Sequence, residues 1–201
     1  MHSTSIDFVF KTRVDIASAI TFSSPLTSLA VSAMNLLSSP QNRILVLQRF
    51  NGYESYPVTL AEWNVYEDRE NGMMNLFITL ETGPGIVQNE DTISLNGRPQ
   101  WELNLLEQNL SEESIKVGFI GKIPDSYDDN RGGQLTNFYF CSHEGTDKNV
   151  IQIIEVDGDR VRFRLTGETI DVNFYDGSKP PTKLSVDIWF QRDPNGMRSM
   201  S

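Results

Sequence analysis

The chain has 201 residues, of which 22% are charged and 38% are hydrophobic, a composition typical of a folded globular protein. Acidic residues outnumber basic ones by 27 to 17, and the formal net charge of −10 excludes long-range attraction to nucleic acid or to anionic membrane surfaces. We expect a single mainly β domain over residues 1–201, with two packed β units at 1–122 and 135–191 as the alternative.

The N-terminal part of the chain predicts a short strand and one helix. Apolar residues alternate with other residues over 6–10, which indicates a strand, and residues 16–42 carry no charge. Ser24 and Pro25 form a good helix start, and Pro40 ends the apolar stripe, so we predict a helix near residues 24–38. It either covers the core or, since Val31 and Leu36 lie off the stripe, binds a partner or a second copy.

Asn71 and Gly72 give the strongest hairpin signal in the chain. A type I′ turn here predicts that the flanking strands pair Trp63 with Leu80, Val65 with Ile78, and Tyr66 with Phe77. Both faces of this hairpin carry apolar side chains, and we therefore expect both to be covered.

Residues 150–191 have the pattern of an antiparallel β-meander. Apolar residues occupy every second position over 159–166, and Gly167 with Glu168 suits a two-residue turn into a strand at 169–175. That turn predicts the pairs Leu165–Ile170, Phe163–Val172, Val161–Phe174, Arg164–Asp171 and Arg162–Asn173. Upstream, a three-residue turn with Gly158 in the left-handed region predicts the pairs Ile153–Val161 and Ile151–Phe163. A last strand runs from Leu184 to Phe190, with every second residue facing inward. The predicted fold is a mainly β, antiparallel two-sheet sandwich or open barrel, with the helix near 24–38 closing one side.

The loop at 125–134 is the best candidate for a metal site. Asp125, Asp128 and Asp129 supply oxygen ligands of the kind that calcium prefers, although Arg131 breaks the pattern of the EF-hand loop. The alternative is a solvated turn, and we expect no cofactor.

Cys141 and His143 form the one place where cysteine and histidine come close in the sequence. On a strand they would share a face and could supply half of a zinc site or a thiol–imidazole pair. Otherwise His143 is a solvated residue at a loop edge, and Cys141 is a small buried one. The single cysteine also fits a reducing compartment, so we expect a cytoplasmic protein.

Three aromatic residues fall on predicted outer faces: Trp189, Tyr175 and Tyr66. They could anchor a protein interface or stack on a sugar ring, unless the helix or a second sheet covers them. The sequence contains no nucleophile elbow or phosphate-binding loop, and Glu81, Glu102 and Glu107 are the residues that could supply a pair of carboxylates.

We therefore predict a non-catalytic, acidic interaction protein that binds another protein. The first alternative is a module that binds a small ligand or a carbohydrate. The second is a hydrolase that uses carboxylates or the Cys141–His143 pair.

Overall fold

The computed structural model describes residues 43–67, 72–92, 96–129 and 133–193. In these ranges the chain forms a 3-10 turn at Glu112–Ser114 and the strands β1 (Ile44–Arg49), β2 (Gly52–Glu67), β3 (Met74–Thr82), β4 (Gln100–Glu107), β5 (Ile120–Ile123), β6 (Tyr127–Asp128), β7 (Gly133–Gln134), β8 (Thr136–Phe140), β9 (Ser142–Glu144), β10 (Asp147–Asp157), β11 (Arg160–Thr169) and β12 (Thr182–Arg192). The mainly β, antiparallel prediction is confirmed. The predicted strand at 6–10 and the helix near 24–38 lie outside the described residues.

Ten strands form one large open sheet, and both predicted β units contribute to it. The strand order is β5-β10-β11-β12-β1-β2-β3-β4-β8-β9, while β6 and β7 pair separately. The pairing is antiparallel throughout the described part, apart from a short parallel contact between β12 and β2 at Gln191 and Glu62. Within the described ranges, no helix has the length and apolar character needed to cross a bilayer.

The apolar side of the sheet encloses one core. Side chains from both halves of the sheet pack together in it, including Trp63 against Phe163, whose ring centroids are 6.2 Å apart. The rings of Tyr56 and Phe140 also pack edge to face, with their centroids 5.8 Å apart. β2 and β8 are three steps apart in the strand order, which in a flat sheet would separate these two rings by about 14 Å, so the sheet bends over its own apolar face.

The predicted turn at Gly167 and Glu168 is wrong. β11 continues through Gly167 and pairs directly with β12, so that Phe163 lies opposite Ile188 and Leu165 opposite Val186. None of the predicted partners at 170–174 lies in a strand. Gly167 is needed for close approach, because a Cβ there would lie 2.9 Å from a ring carbon of Trp101.

The predicted left-handed conformation of Gly158 is confirmed, but the predicted register of the strands it joins is wrong. Gly158 has a φ of +58°, as predicted, but it forms a two-residue turn with Asp159. Ile153 consequently pairs with Phe163, and Ile151 with Leu165. A register shift after Ile153 absorbs one extra residue, which keeps the isoleucines in the core. The meander itself is confirmed as β10, β11 and β12, and Leu184, Val186, Ile188 and Phe190 all face inward.

The predicted pairing of the strands on either side of Asn71 is confirmed as β2 with β3, but the predicted register is wrong by two residues. The type I′ turn predicted at Asn71 lies partly outside the described residues. Trp63 pairs with Ile78, Val65 with Leu76 and Tyr66 with Asn75. A shift of two leaves every side chain on its predicted face, because the side-chain period of a strand is two.

Candidate functional site

Arg49, at the end of β1, is surrounded by three carboxylates from other parts of the chain. Its Nε and Nη2 donate to Asp171 at 3.1 and 3.0 Å. Its Nη1 and Nη2 donate to the two oxygens of Asp91 at 2.9 and 3.1 Å. Nη1 also donates to Glu54 Oε1 at 2.9 Å. All five N–H groups of the guanidinium are therefore paired with carboxylate oxygens.

Burial and hydrogen bonds determine the protonation states of groups in this network. Burial opposes the charge of Arg49, but the hydrogen bonds to Asp171, Asp91 and Glu54 outweigh it and raise its pKa above the ordinary value. The hydrogen bond from Arg49 lowers the pKa of Asp91. Burial, together with the hydrogen bond to Glu54, raises the pKa of Tyr56. Arg49 therefore remains a cation, and Tyr56 remains a neutral donor.

The network joins two loops to the β1–β2 hairpin. Asp91 belongs to the loop after β3, where Thr92 Oγ1 donates to Glu54 at 2.6 Å. Asp171 belongs to the segment between β11 and β12, and Thr182 Oγ1 donates to it at 3.1 Å. With all its donors satisfied and its side chain fully buried, Arg49 acts as a structural clamp.

Asp125, Asp128 and Asp129 all line an open cavity of about 350 Å³. The cavity lies where β4 and β5 approach each other without pairing, and Asn104 and Lys122 lie on its walls. Among the described residues, no three His, Cys, Asp or Glu side chains are arranged to hold a metal ion. A metal site in this loop, part of which lies outside the described ranges, stays a prediction.

Cys141 and His143 do not share a strand face. Cys141 is exposed, contrary to the expectation of burial, and lies in the tight turn between β8 and β9 with a φ of +66°. His143 is exposed in β9, and its ring centroid lies 4.6 Å from that of Tyr139. The nearest polar group to its Nδ1 is Asn137 Nδ2, at 3.2 Å.

The three aromatic candidates lie in three different elements, so the structure does not bring them into one site. Trp189 faces outward from β12, with the guanidinium carbon of Arg160 at 5.4 Å from the centroid of its ring. Tyr175 donates its hydroxyl to the carbonyl of Phe140, and burial raises the pKa of Tyr175 to about 12. Tyr66 accepts a hydrogen bond from Asn75 Nδ2 at 2.7 Å. Their role in binding stays a prediction.

The outward side of the meander carries charges that are paired with one another. Arg162 Nε donates to Asp187 at 2.6 Å, and its Nη1 donates to Glu155 at 2.8 Å. Arg164 pairs with the other oxygen of Asp187 at 2.8 Å. Both of these arginines are therefore paired with carboxylates of the same surface.

The outward-facing side chains of β2, β3, β4 and β8 form a second surface, which we call the acidic face. Glu62 lies opposite Thr79, and Thr79 lies opposite Glu102. Glu81 is the next outward residue of β3 after Thr79. In the described part of the chain, the half-buried carboxylates of Glu62, Glu81 and Glu102 make no ion pair or hydrogen bond. Phe77, an aromatic residue, is the outward residue of β3 immediately before Thr79.

Among the described residues of the acidic face, two buried carbonyl oxygens accept no hydrogen bond: Oδ1 of Asn75 and Oδ1 of Asn137. Asn75 is 3% exposed, and its Nδ2 donates to Asn104 Oδ1 at 2.9 Å. Asn104 Nδ2 donates in turn to the carbonyl of Leu135 at 3.2 Å, which fixes the orientation of both amides. Asn137 lies opposite Glu102. A buried acceptor that lacks a hydrogen bond costs about 1–3 kcal/mol.

The sequence identifies Glu81 and Glu102 as candidate carboxylates. Sequence reasoning missed the Arg49 network and the two asparagines of the acidic face. Arg49 and Asp171 are separated by 122 positions, and no local pattern links them. One signal was available: Arg49 occupies an inward position, in line with Leu45 and Leu47, where a charge needs a buried partner.

Comparison of the chain with models of known protein families, with curated proteins and with solved structures found no match. The candidate site therefore rests on the geometry described above.

Proposed function

We propose that this chain is a non-catalytic acidic protein that binds a basic surface of another protein through its acidic face. The observation that carries the proposal is the uneven pairing of charge over the sheet. The arginines of the meander are matched with carboxylates, whereas Glu62, Glu81 and Glu102 have no cation among the described residues. A partner that supplies cations there forms ion pairs without breaking existing ones.

The aromatic side chains of the acidic face support the same function. Phe77 lies at its centre, and Tyr139, at the β8 side, is 37% exposed. Aromatic residues in an interface supply apolar contact area, while carboxylates around them set the orientation of the partner. The net charge of −10 disfavours nucleic acid and anionic membranes as partners, and we place the protein in the cytoplasm because of its single cysteine.

The test uses an arginine- and lysine-containing peptide of about ten residues as the probe, with a glutamate-containing peptide of the same length as its negative control. Fluorescence anisotropy at several salt concentrations measures the affinity of the full chain. The variant Glu62→Gln, Glu81→Gln, Glu102→Gln removes the carboxylates of the acidic face. The matched control, Glu90→Gln, Glu107→Gln, Glu113→Gln, changes three exposed residues elsewhere and gives the same net charge.

The basic peptide is expected to bind with an affinity that falls as salt rises. The acidic-face variant should lose roughly tenfold or more in affinity, and the control should lose less than about threefold. Equal losses would show that binding follows net charge and not this surface. Failure of the wild-type chain to bind the basic peptide would reject the proposal altogether.

A further inference from the structure

The β4–β8 part of the acidic face brings together three groups of different chemistry. Glu102 lies opposite Asn137, and Gln100 lies opposite Tyr139, one outward position further along. Cβ atoms of such cross-strand neighbours are about 4.5–5.5 Å apart. A carboxylate, an amide side chain and an aromatic ring are therefore close enough to contact one ligand group.

A rotation of the Asn137 side chain can present its carbonyl to such a ligand. Asn137 is half-buried, and within the described part of the chain its side chain is held by one contact of 3.2 Å, between its Nδ2 and Nδ1 of the exposed His143. Its Oδ1 is buried and accepts no hydrogen bond from the described residues. A rotation of the amide exchanges the two atoms: Oδ1 then lies on the side of the exposed His143, where it can accept a hydrogen bond, and Nδ2 takes the buried position.

We propose that this part of the acidic face binds an arginine side chain of the partner protein. In this arrangement Glu102 pairs with the guanidinium, Asn137 Oδ1 accepts one of its N–H groups, and Tyr139 packs against its plane. The inference rests on the proposed function, because it specifies the chemistry of the basic partner at the same surface.

Arginine fits these groups better than lysine does. A guanidinium presents five N–H donors in one plane, so it can donate to Glu102 and to Asn137 while its face lies on an aromatic ring. The lysine ammonium is a compact and strongly hydrated charge, which would satisfy the carboxylate but gain less from the ring. The surface should therefore discriminate between two cations of equal charge.

The experiment compares an arginine-only peptide and a lysine-only peptide of equal length and charge, each titrated into the full chain. The arginine peptide is expected to bind about tenfold tighter, which corresponds to one added hydrogen bond and one cation–π contact. Asn137→Ala and Tyr139→Leu should each reduce this ratio to below about threefold and leave the affinity for the lysine peptide within about twofold. Asn109→Ala and Tyr53→Leu, both at exposed residues away from β8, serve as matched controls that keep the ratio.

The outcomes separate this inference from the proposed function. Equal affinity of the wild-type chain for the two peptides overturns the arginine site and leaves the acidic interface standing. A preference for arginine that survives in both variants also overturns it, because arginine is then recognised elsewhere. If neither peptide binds, both proposals fall. Circular dichroism and urea unfolding of each variant show that it is folded, so that a changed ratio reports recognition.

Discussion

Replacing Arg49 by methionine is expected to destabilise the fold by about 3–5 kcal/mol, the usual cost of breaking a buried ion pair from one side. The substitution removes five donors and leaves Glu54 and Asp171, whose side chains are fully buried, without a cation. Methionine keeps most of the side-chain volume, so the loss reports charge and hydrogen bonding more than packing. The free energy of unfolding of a single domain is about 5–15 kcal/mol, and the predicted loss is a large part of that stability.

Urea unfolding followed by tryptophan fluorescence measures this loss, because Trp63 and Trp101 are 5% and 1% exposed in the folded state. The control is Arg164→Met. The Arg164 side chain is 51% exposed, although it forms an ion pair with Asp187. An exposed pair of this kind contributes at most about 1 kcal/mol.

A second comparison tests the physical cause. In the triple variant Arg49→Met, Glu54→Gln, Asp171→Asn, the uncompensated charges are removed together with the cation, and the amides can still hydrogen-bond. We expect this variant to be at least about 1 kcal/mol more stable than Arg49→Met alone, because neighbours in one network are not additive. A cost for Arg49→Met no larger than that of Arg164→Met, or no recovery in the triple variant, would refute the reasoning.

Three further predictions concern the same fold. The pKa of Asp91 is lowered from its ordinary value of 3.8, so its stabilising effect is present above that value and lost as the pH falls through the folded pKa. Asp91→Asn should therefore flatten the pH dependence of the urea midpoint below about pH 4, and an unchanged profile would contradict this. Gly167→Ala should cost about 1–3 kcal/mol, since its Cβ would lie 2.4 Å from a side-chain oxygen. Gly133→Ala, where no atom of the described residues lies within 4 Å of the new Cβ, should cost less than about 0.5 kcal/mol, and equal shifts in thermal unfolding would disprove the crowding at Gly167. Phe163→Ala, at a fully buried ring, should cost about 3–5 kcal/mol. Arg162→Ala should cost less than about 2 kcal/mol, because Asp187 keeps its ion pair with Arg164, and equal urea midpoints for these last two variants would place Phe163 outside the core.

Local alternation was enough to predict the strands and their faces. The inward positions of Leu184, Val186, Ile188 and Phe190 follow from a period of two, and burial enforces that period whatever the partner strand is. Register was harder to predict, because it depends on turn geometry and on distant contacts. Gly167 shows this difficulty: the residue type is the same for a tight turn and for a close approach, and only the position of Trp101 distinguishes them.

The Arg49 network lies beyond local reasoning for a different reason. Each of its members is an ordinary polar residue near a turn, and the sequence does not show that three of them meet around one guanidinium. Because an unpaired buried charge would cost several kcal/mol, the burial of Arg49 requires carboxylates beside it. A polar residue at an inward strand position therefore predicts that partners exist, although it does not identify them.

The distribution of charge links the network to the proposed interface. The sequence gives a net charge of −10 and no location for it. In the structure, Arg49 is enclosed in the core, and Arg162 and Arg164 are held by carboxylates of the meander. These cations are therefore unavailable to the acidic face, and the carboxylates there have no competing intramolecular partner among the described residues. Under the proposed function, a basic partner would be attracted to the whole molecule by its net charge and would form new ion pairs on the acidic face.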